Sequence, residues 1–402
     1  ARRARFSEAH VVEAIAATGA GRLTVEQITA WSKEFIASEG VVRLVDRDVE
    51  AGWPRLPRFS ARAHLALERQ VIDRLAALHA ISVTGVDPQV VDAAIATHQQ
   101  PLGDDQAHAV RALCETGPAV RSLVAPPGFG KTTAVHAAAV AQRFEGHLVL
   151  GVATTNQAVN ELRDVGIDAV TLARLRIDLE RDRLATGTVV ILDEVSQVAT
   201  VDAAWLLDAV AAAPGAQLWC LGDPKQAKAV RAGGLAAELQ RLGSSTLTEN
   251  RRQLDPAEQE ALSQYRAGHV ADSQHIRKDQ RWEHDLGDPA ATRQAMAHAV
   301  VADIDQHGVF NVAALAVSHA DCEDLADRIR HLRYQQGELA GPTITGPGWF
   351  TGERQYAAGD LVLVHANVIA GGRRVHNGTV VTVSEVTGSG LAVSDQHGHG
   401  AM

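Results

Sequence analysis

The segment Ala125-Pro-Pro-Gly-Phe-Gly-Lys-Thr132 decides the fold of this 402-residue chain, because it joins a Gly-rich turn to a terminal Gly-Lys-Thr. A predicted strand at 121–125 leads into it, and a helical pattern follows it. Gly128 and Gly130 allow a tight turn in which backbone N–H groups converge on phosphate oxygens, and the next helix adds its positive dipole end. Ala125 stands where the usual pattern has its first glycine. The segment predicts a phosphate-binding loop between a strand and a helix.

This loop is predicted to hold ATP and Mg²⁺. Lys131 would reach the β- and γ-phosphates, and the Thr132 hydroxyl would coordinate the Mg²⁺ ion. The loop residues predicted to contact the nucleotide are Pro127, Gly128, Phe129, Gly130, Lys131, Thr132 and Thr133.

A second acidic motif follows the loop in the order that a P-loop NTPase requires. In Thr188-Val-Val-Ile-Leu-Asp193-Glu194, an apolar strand ends in two carboxylates, at the edge where a parallel sheet places its ligands. Asp193 would hold the Mg²⁺ through water, and Glu194 would orient and deprotonate the attacking water. Together with Lys131, these carboxylates predict ATP hydrolysis as well as ATP binding.

Composition sets wider limits. The length predicts two or three compact units. No run of about 18 apolar residues occurs, so no membrane span is predicted, and without a secretory signal the expected location is the cytoplasm. Cys114, Cys220 and Cys322 lie far apart and predict neither a disulfide framework nor a zinc site. The net charge of −10 leaves room for a locally basic nucleic-acid channel.

Periodicity divides the chain into three sections. The front section reads as all-helical, with Ser60 as the N-cap of its third helix. The middle section alternates strands with helices, which is typical of an α/β fold with a parallel sheet. Helices are predicted at 7–18, 24–37, 60–82 and 88–98, and strands at 121–125, 147–153, 188–192, 216–221 and 245–248.

The last section begins as helices and ends as short strands. Residues 255–306 are mostly helical, and a strand at 313–317 with a helix at 320–336 would begin another strand-helix unit. Runs separated by Gly and Asn predict a small β-barrel or meander, with strands at 359–364, 378–386 and 390–394.

Four further motifs carry a resemblance to a known family. They are Leu102-Gly-Asp-Asp-Gln106, Leu150-Gly-Val-Ala-Thr-Thr155-Asn-Gln-Ala, Leu221-Gly-Asp223-Pro-Lys-Gln226 and Leu247-Thr-Glu-Asn-Arg-Arg252-Gln. With the P-loop and the acidic pair, they make the chain resemble a superfamily 1 DNA helicase of the RecD-like branch, specifically the helicase region of MobF-class conjugative relaxases.

The resemblance assigns roles to single residues. It implies that Gln106 reads the adenine edge and that Gln226 senses the γ-phosphate. Arg252 would act as an arginine finger, with the adjacent Arg251 as the alternative. Thr155, followed by Asn156, would contact the backbone of single-stranded DNA.

The resemblance also implies a domain order. Residues 1–98 would form a helical N-terminal region, 99–268 a RecA-like ATPase domain, 269–338 the start of a second RecA-like domain, and 339–402 an inserted SH3-like β-barrel. The family's last two helicase motifs and its relaxase domain would lie outside the chain. The isolated chain is therefore expected to bind nucleotide but to turn it over poorly.

Single-stranded DNA is the expected partner, together with conjugation and relaxosome proteins. Arg373 and Arg374 would add positive charge near the barrel, with Trp349, Phe350 and Tyr356 as nearby aromatics, although core packing is the commoner role for any one of these. Two alternatives stay open. One is a helicase-like module that binds single-stranded DNA without unwinding it, and the other is a free-standing RecD-like repair helicase.

Overall fold

The computed structural model describes residues 4–19, 21–44, 57–226, 229, 232–348, 352–370, 373–375, 377–388, 390–395, 398 and 400–401. The chain divides into two compact units, Ala1–His269 and Val270–Met402. Among the helices in these ranges, none is long and apolar enough to cross a membrane.

The first unit contains eleven α-helices and ten strands within its described residues. Its helices are α1 (Glu8–Thr18), α2 (Val25–Ala37), α3 (Arg62–Ala80), α4 (Pro88–Ala96), α5 (Asp104–Cys114), α6 (Lys131–Phe144), α7 (Asn156–Asp164), α8 (Leu172–Leu179), α9 (Thr200–Ala211), α10 (Leu235–Leu242) and α11 (Pro256–Ala267). Its strands are β1 (Val41–Leu44), β2 (Arg58–Ala61), β3 (Ser82–Val83), β4 (Gly117–Pro118), β5 (Val120–Val124), β6 (Val149–Ala153), β7 (Ala169–Thr171), β8 (Val189–Leu192), β9 (Gln217–Gly222) and β10 (Ser245–Thr246).

A six-stranded parallel sheet organises this unit, in the order β10-β5-β9-β8-β6-β7. The central strands β8 and β9 are buried along their whole length, as expected where helices cover both faces of a sheet. Successive side chains point to opposite faces, so Val189 and Ile191 pack with α4, α5, α6 and α7, while Val190 and Leu192 pack with α3, α8, α9 and α10. The predicted α/β fold with a parallel sheet is confirmed.

The front section differs from its all-helical prediction. Strands β1 and β2 pair antiparallel, with Val41 opposite Ala61. Ser60 is not a helix cap: it lies buried in β2, and its hydroxyl donates to the Ala4 carbonyl at 2.7 Å. Helix α3 begins at Arg62 instead. The Ser60 prediction was wrong because the hydroxyl bonds to a residue 56 positions away in the chain, and a local sequence pattern cannot reveal such a contact.

The second unit contains helices and three small antiparallel sheets within its described residues. Its helices are α12 (Val270–Asp279), α13 (Pro289–His307) and α14 (His319–Gln335), and its strands are β11 (Ala340–Pro347), β12 (Glu353–Ala358), β13 (Leu361–Leu363), β14 (Val368–Ala370), β15 (Arg373–Val375), β16 (Val380–Thr387), β17 (Gly390–Ser394) and β18 (Gly400–Ala401). The sheets are β13-β16-β17-β18, β11-β12 and β14-β15. A closed SH3-like barrel is not confirmed.

The strand predicted at 313–317 is absent from the described structure. Leu315 and Val317 are almost fully exposed there, and no described strand pairs with this run. An apolar run without a neighbouring strand cannot satisfy its backbone groups as a sheet does, so the pattern was misleading.

The core of the first unit yields a stability prediction. Leu206 of α9 is fully buried, whereas Leu148, which precedes β6, is 61% exposed. We expect Leu206→Ala to lower the free energy of unfolding by about 2–5 kcal/mol, because it removes buried methyl groups and leaves a cavity. Leu148→Ala, the same truncation on the surface, should change it by less than about 0.5 kcal/mol. Urea denaturation followed by circular dichroism measures both, and equal losses would contradict the burial described.

Candidate nucleotide-binding site

Strand order places four of the sequence motifs side by side along one edge of the sheet. The P-loop follows β5, residues 223–226 follow β9, the acidic pair follows β8 and residues 154–156 follow β6, and these strands are neighbours in that order. The carboxyl ends of parallel strands meet at one edge, which is where ligands bind in α/β sheets. The topology therefore assembles a site from segments that lie far apart in sequence.

The P-loop has a backbone that only glycine adopts without strain at two positions. Gly128 and Gly130 have φ values of 88° and 76°, and Gly130 caps the N-terminus of α6. A side chain at Gly128 would meet Cβ of Arg252 at 2.5 Å, and one at Gly130 would meet Nε2 of Gln106 at 2.3 Å. Pro127 and Phe129 lie in the same turn. Glycine is required at both positions, because the backbone has a positive φ and neighbouring side chains leave no room for a Cβ atom.

Lys131, the first residue of α6, bridges the two carboxylates of the acidic motif. Its Nζ lies 2.5 Å from Oδ1 of Asp193 and 3.2 Å from Oε1 of Glu194. Burial alone would lower the pKa of Lys131, but the two carboxylates outweigh it and the pKa is raised. Lys131 is thus a buried ammonium. Thr132 and Thr133 follow it in the first turn of α6.

The acidic pair is held in a strained turn. Glu194 has φ 52° and ψ 47°, a left-handed conformation that costs a non-glycine residue about 1–2 kcal/mol. Its backbone N–H donates to Oδ1 of the buried Asp193 at 2.8 Å. Oε2 of Glu194 is buried and has no hydrogen-bond partner within the part of the chain that the structure describes. Strain and an unsatisfied buried oxygen are typical of a working site.

Gln106 lies directly beneath the P-loop and is almost fully buried. Its Nε2 donates to the Gly130 carbonyl at 2.9 Å, and its Oε1 accepts from the Gly103 N–H at 3.0 Å. Gln106 therefore joins the start of α5 to the phosphate-binding turn.

The next motif is tied to the same helix start by an ion pair. Asp105 accepts hydrogen bonds from the Thr248 and Glu249 N–H groups at 2.8 and 3.0 Å, and it pairs with Arg251 at 2.5 Å. Burial would raise the pKa of Asp105, but the bonds from Arg251, Glu249 and Thr248 outweigh it and lower the pKa to about 2. Arg251 also donates to the Phe129 carbonyl at 3.1 Å. The segment 248–251 is thereby fixed against the P-loop.

Arg252 contrasts with its neighbour. Its side chain is exposed and makes no hydrogen bond or ion pair with the described residues, while its Cβ lies beside Gly128. Its backbone N–H donates to Oδ1 of Asn250 at 3.1 Å. Of the two adjacent arginines, Arg251 is fixed in place and Arg252 is free to meet a ligand at the P-loop.

The motif after β9 is held by a residue that the sequence did not suggest. Asp223 is fully buried and forms a two-point ion pair with Arg266 of α11, at 2.7 and 3.0 Å. Burial would raise the pKa of Asp223, but Arg266 and Lys225 hold it below its ordinary value. The N–H of Gln226 donates to the Asp223 carbonyl at 3.1 Å. Arg266 lies 43 residues after Asp223 in an ordinary helical pattern, so no local signal marked it.

A cavity of about 870 Å³ opens beside these segments. Its lining includes Pro126, Phe129, Lys225, Asn250 and Arg266. The P-loop, the segment after β9, the segment before Arg252 and α11 therefore share one concave surface, of the size that small-molecule sites have.

The residues predicted to bind DNA belong to two different units of the chain. Thr155 is exposed and caps α7, accepting from the Ala158 N–H at 3.2 Å, and Asn156 begins that helix. Arg373 and Arg374 lie in β15 of the second unit. Trp349 and Phe350 fall outside the described residues, and the Tyr356 hydroxyl donates to the Pro347 carbonyl at 2.8 Å.

Comparison with known proteins shows what this chain is similar to. Residues 101–287 match the family described as AAA domain. The conjugal transfer protein TraA of Rhizobium radiobacter is 31% identical over 290 residues, which cover 66% of this chain and 26% of TraA. The multifunctional conjugation protein TraI of Escherichia coli strain K12 is 31% identical over 144 residues, covering 33% of this chain and 8% of TraI.

Among solved structures, similarity extends to Pif1 helicases. The crystal structure of Bacteroides Pif1 bound to ssDNA has a TM-score of 0.45 at 16% identity and covers 75% of this chain and 74% of that chain. The Bacteroides Pif1 helicase in complex with ADP-AlF3 and ssDNA has a TM-score of 0.42 at 16% identity, with the same coverage.

Residues 101–287, which match the AAA domain family, contain the P-loop. The chain is a distant homologue of the conjugal transfer proteins TraA and TraI, and it spans about a quarter of the length of TraA. The resemblance drawn from the motifs is confirmed at this level.

The Asp105 ion pair yields a pH prediction. The pKa of Asp105 falls from 3.8 to about 2 on folding, so the native state binds fewer protons than the unfolded state between these values. Its contribution to stability is complete above about pH 4 and is lost as the pH falls through the folded pKa. We expect the gap in urea midpoint between the wild type and Asp105→Asn to be constant near neutrality and to shrink below about pH 4.

The control for this experiment is Asp92→Asn, which removes an exposed carboxylate paired with Arg111. It should change stability by less than about 1 kcal/mol at neutral pH. A gap for Asp105→Asn that is no larger than this, or that widens in acid, would contradict the role given to the pair.

Proposed function

We propose that this chain is the ATP-driven motor of a DNA helicase that moves on single-stranded DNA, within a protein of conjugative DNA transfer. One observation carries the proposal: the buried ammonium of Lys131 lies between Asp193 and Glu194, beside a glycine turn at the start of α6. The homology to TraA and TraI supports the conjugative setting. The intact Lys131, Asp193 and Glu194 count against a module that binds DNA without an ATPase cycle.

Binding would begin at the turn. The N–H groups around Gly128 and Gly130 would donate to the phosphate oxygens of ATP, and Lys131 would exchange its carboxylate partners for the β- and γ-phosphates. Because Lys131 is charged while buried, it needs no proton before it meets the triphosphate. Gln106 would hold the turn from below through its bond to the Gly130 carbonyl. To read the adenine edge, as the motif implies, its amide would have to exchange its present partners Gly103 and Gly130 for the base.

The residues present fit a Mg²⁺ ion. Hard cations take oxygen ligands, and the site offers the Thr132 hydroxyl, the Asp193 carboxylate and the unsatisfied Oε2 of Glu194 nearby. We propose that Thr132 and Asp193 hold the ion when Lys131 has moved to the phosphates. A bound Mg²⁺ would neutralise charge on the β- and γ-phosphate oxygens.

Hydrolysis would use Glu194 as the base. Its unsatisfied carboxylate oxygen can accept a hydrogen bond from water and then its proton, as the water oxygen bonds to the γ-phosphorus and the bond to the β–γ bridging oxygen breaks. ADP and phosphate leave. Gln226 would sense the γ-phosphate, and Arg252 would stabilise the charge that develops on it.

The DNA would lie at the same sheet edge. Thr155 and Asn156 follow β6, and the acidic pair follows the neighbouring strand β8. A movement of the acidic pair on nucleotide binding would therefore reach the adjacent loop that carries Thr155 and Asn156. We propose that they contact the phosphate backbone of the strand. We also propose that Arg373 and Arg374 of the second unit bind single-stranded DNA.

The first functional prediction concerns Lys131→Ala. We expect it to weaken ATP binding at least about tenfold and to abolish DNA-stimulated phosphate release, since charge stabilisation of this kind is worth several kcal/mol, while single-strand binding stays largely intact. Titration with a fluorescent ATP analogue, phosphate release and DNA anisotropy measure the three effects. The matched control is Lys33→Ala, an exposed lysine of α2. Unchanged ATP binding by Lys131→Ala would remove the proposed function.

The second functional prediction separates the adjacent arginines. Arg252→Ala should slow hydrolysis by about 10³-fold or more, as loss of an arginine finger does, with little change in ATP affinity or thermal stability. Arg251→Ala should instead lower the melting temperature, because it leaves the half-buried carboxylate of Asp105 without its ion-pair partner. Nucleotide titration and thermal denaturation distinguish the two. The opposite assignment of effects would make Arg251 the finger.

A further inference from the structure

The two-point ion pair between Asp223 and Arg266 carries an inference about how the nucleotide is sensed. Asp223 has no exposed side-chain surface, whereas Arg266 retains 23% of its own, so the carboxylate of the pair is shielded from water. Nη1 of Arg266 donates to Oδ2 of Asp223 at 2.7 Å, and Nη2 donates to Oδ1 at 3.0 Å. This fork geometry fixes orientation as well as distance, which a lysine cannot do.

A second set of contacts ties the same loop to the same helix. The Lys225 N–H donates to Oδ1 of Asp223 at 3.0 Å, and its ammonium donates to the Arg266 carbonyl. The Gln226 N–H donates to the Asp223 carbonyl at 3.1 Å. The backbone that presents Gln226 is thus anchored on Asp223, and Asp223 is anchored on Arg266, near the last turn of α11.

We propose that Arg266 is a positioning residue for γ-phosphate sensing, acting through Asp223 to hold Gln226 in its working orientation. The inference rests on the proposed function. In this proposal Arg266 contacts no reacting atom, because its two terminal nitrogens are bonded to Asp223. Its removal would leave the P-loop contacts to the α- and β-phosphates untouched and would loosen only the segment at 223–226.

The experiment compares ADP with a nonhydrolysable ATP analogue, which differ in the γ-phosphate. We expect Arg266→Ala to keep ADP affinity within about twofold and to lose about tenfold in affinity for the analogue, the value of one hydrogen bond to a charged group. In turnover, kcat should fall by up to about 100-fold with little change in KM, as expected for a misplaced group.

A double-mutant cycle tests whether Arg266 acts through Gln226. Gln226→Ala should reproduce the selective loss, and Gln226→Ala combined with Arg266→Ala should lose no more than either alone. Additive losses would overturn the inference, because the two residues would then act independently. Arg241→Ala is the matched control, since this arginine is 72% exposed and, among the residues that the structure describes, pairs with Glu238 in the same helix.

Stability must be separated from sensing, because Arg266→Ala leaves a buried carboxylate without its partner. Arg266→Lys keeps one charge and should rescue the melting temperature better than it rescues the preference for the ATP analogue over ADP. Asp223→Asn with Arg266→Gln removes both charges, which protects folding if the single variant fails, and should still lose the preference. A variant that is folded, less stable and normal in that preference would show a purely structural role.

The outcomes are distinct from those of the proposed function. If Lys131→Ala binds ATP as the wild type does, the proposed function fails whatever Arg266 does. If Lys131→Ala loses ATP while Arg266→Ala keeps the full preference for the γ-phosphate, only the positioning role of Arg266 fails.

Discussion

The buried ammonium of Lys131 is the constraint on which the rest of the structure depends. A charge taken out of water must be paired, and the partners available are the carboxylates of Asp193 and Glu194. That pairing requires α6 to start opposite the end of β8, across the intervening strand β9. The apolar burial of the central strands provides a rigid base for it. The strained Glu194 backbone persists because this base holds it in place.

Each loop at the sheet edge is held in place by a polar side chain that packs against it. Gln106 secures the P-loop, Asp105 secures the segment with Arg251, and Arg266 secures the segment with Gln226. In each case a buried or half-buried polar side chain fixes a backbone turn, and a neighbouring side chain is the one that we propose to contact the ligand. Preorganised donors of this kind need little rearrangement when phosphate charge arrives.

The elements that could be predicted from the sequence are those that depend on residues close together in the chain. Strand β8 is a continuous apolar run, β9 is apolar after its first residue and β5 ends in Leu123-Val124. The P-loop and the acidic pair are short motifs at the strand ends, so their places followed from pattern and chain order. The strand β7 was missed because three residues carry too little pattern. The bridge from Ser60 to Ala4 and the pair between Asp223 and Arg266 join residues 56 and 43 positions apart, and only the folded chain brings them together. The exposed run at 313–317 shows the converse, since a strand-like composition without a neighbour forms no strand.

Helix α3 has a consequence for how this P-loop domain could be exchanged between proteins. Val71, Leu75 and Leu78 cover the same sheet face as α9 and α10, although they precede the P-loop by some 50 residues and carry none of its motifs. A recombination junction placed just before the first nucleotide motif would therefore remove one of the helices that cover this face and expose apolar side chains beneath it. An exchange that keeps the core intact must carry the stretch from Arg62 onward as part of the same inherited block.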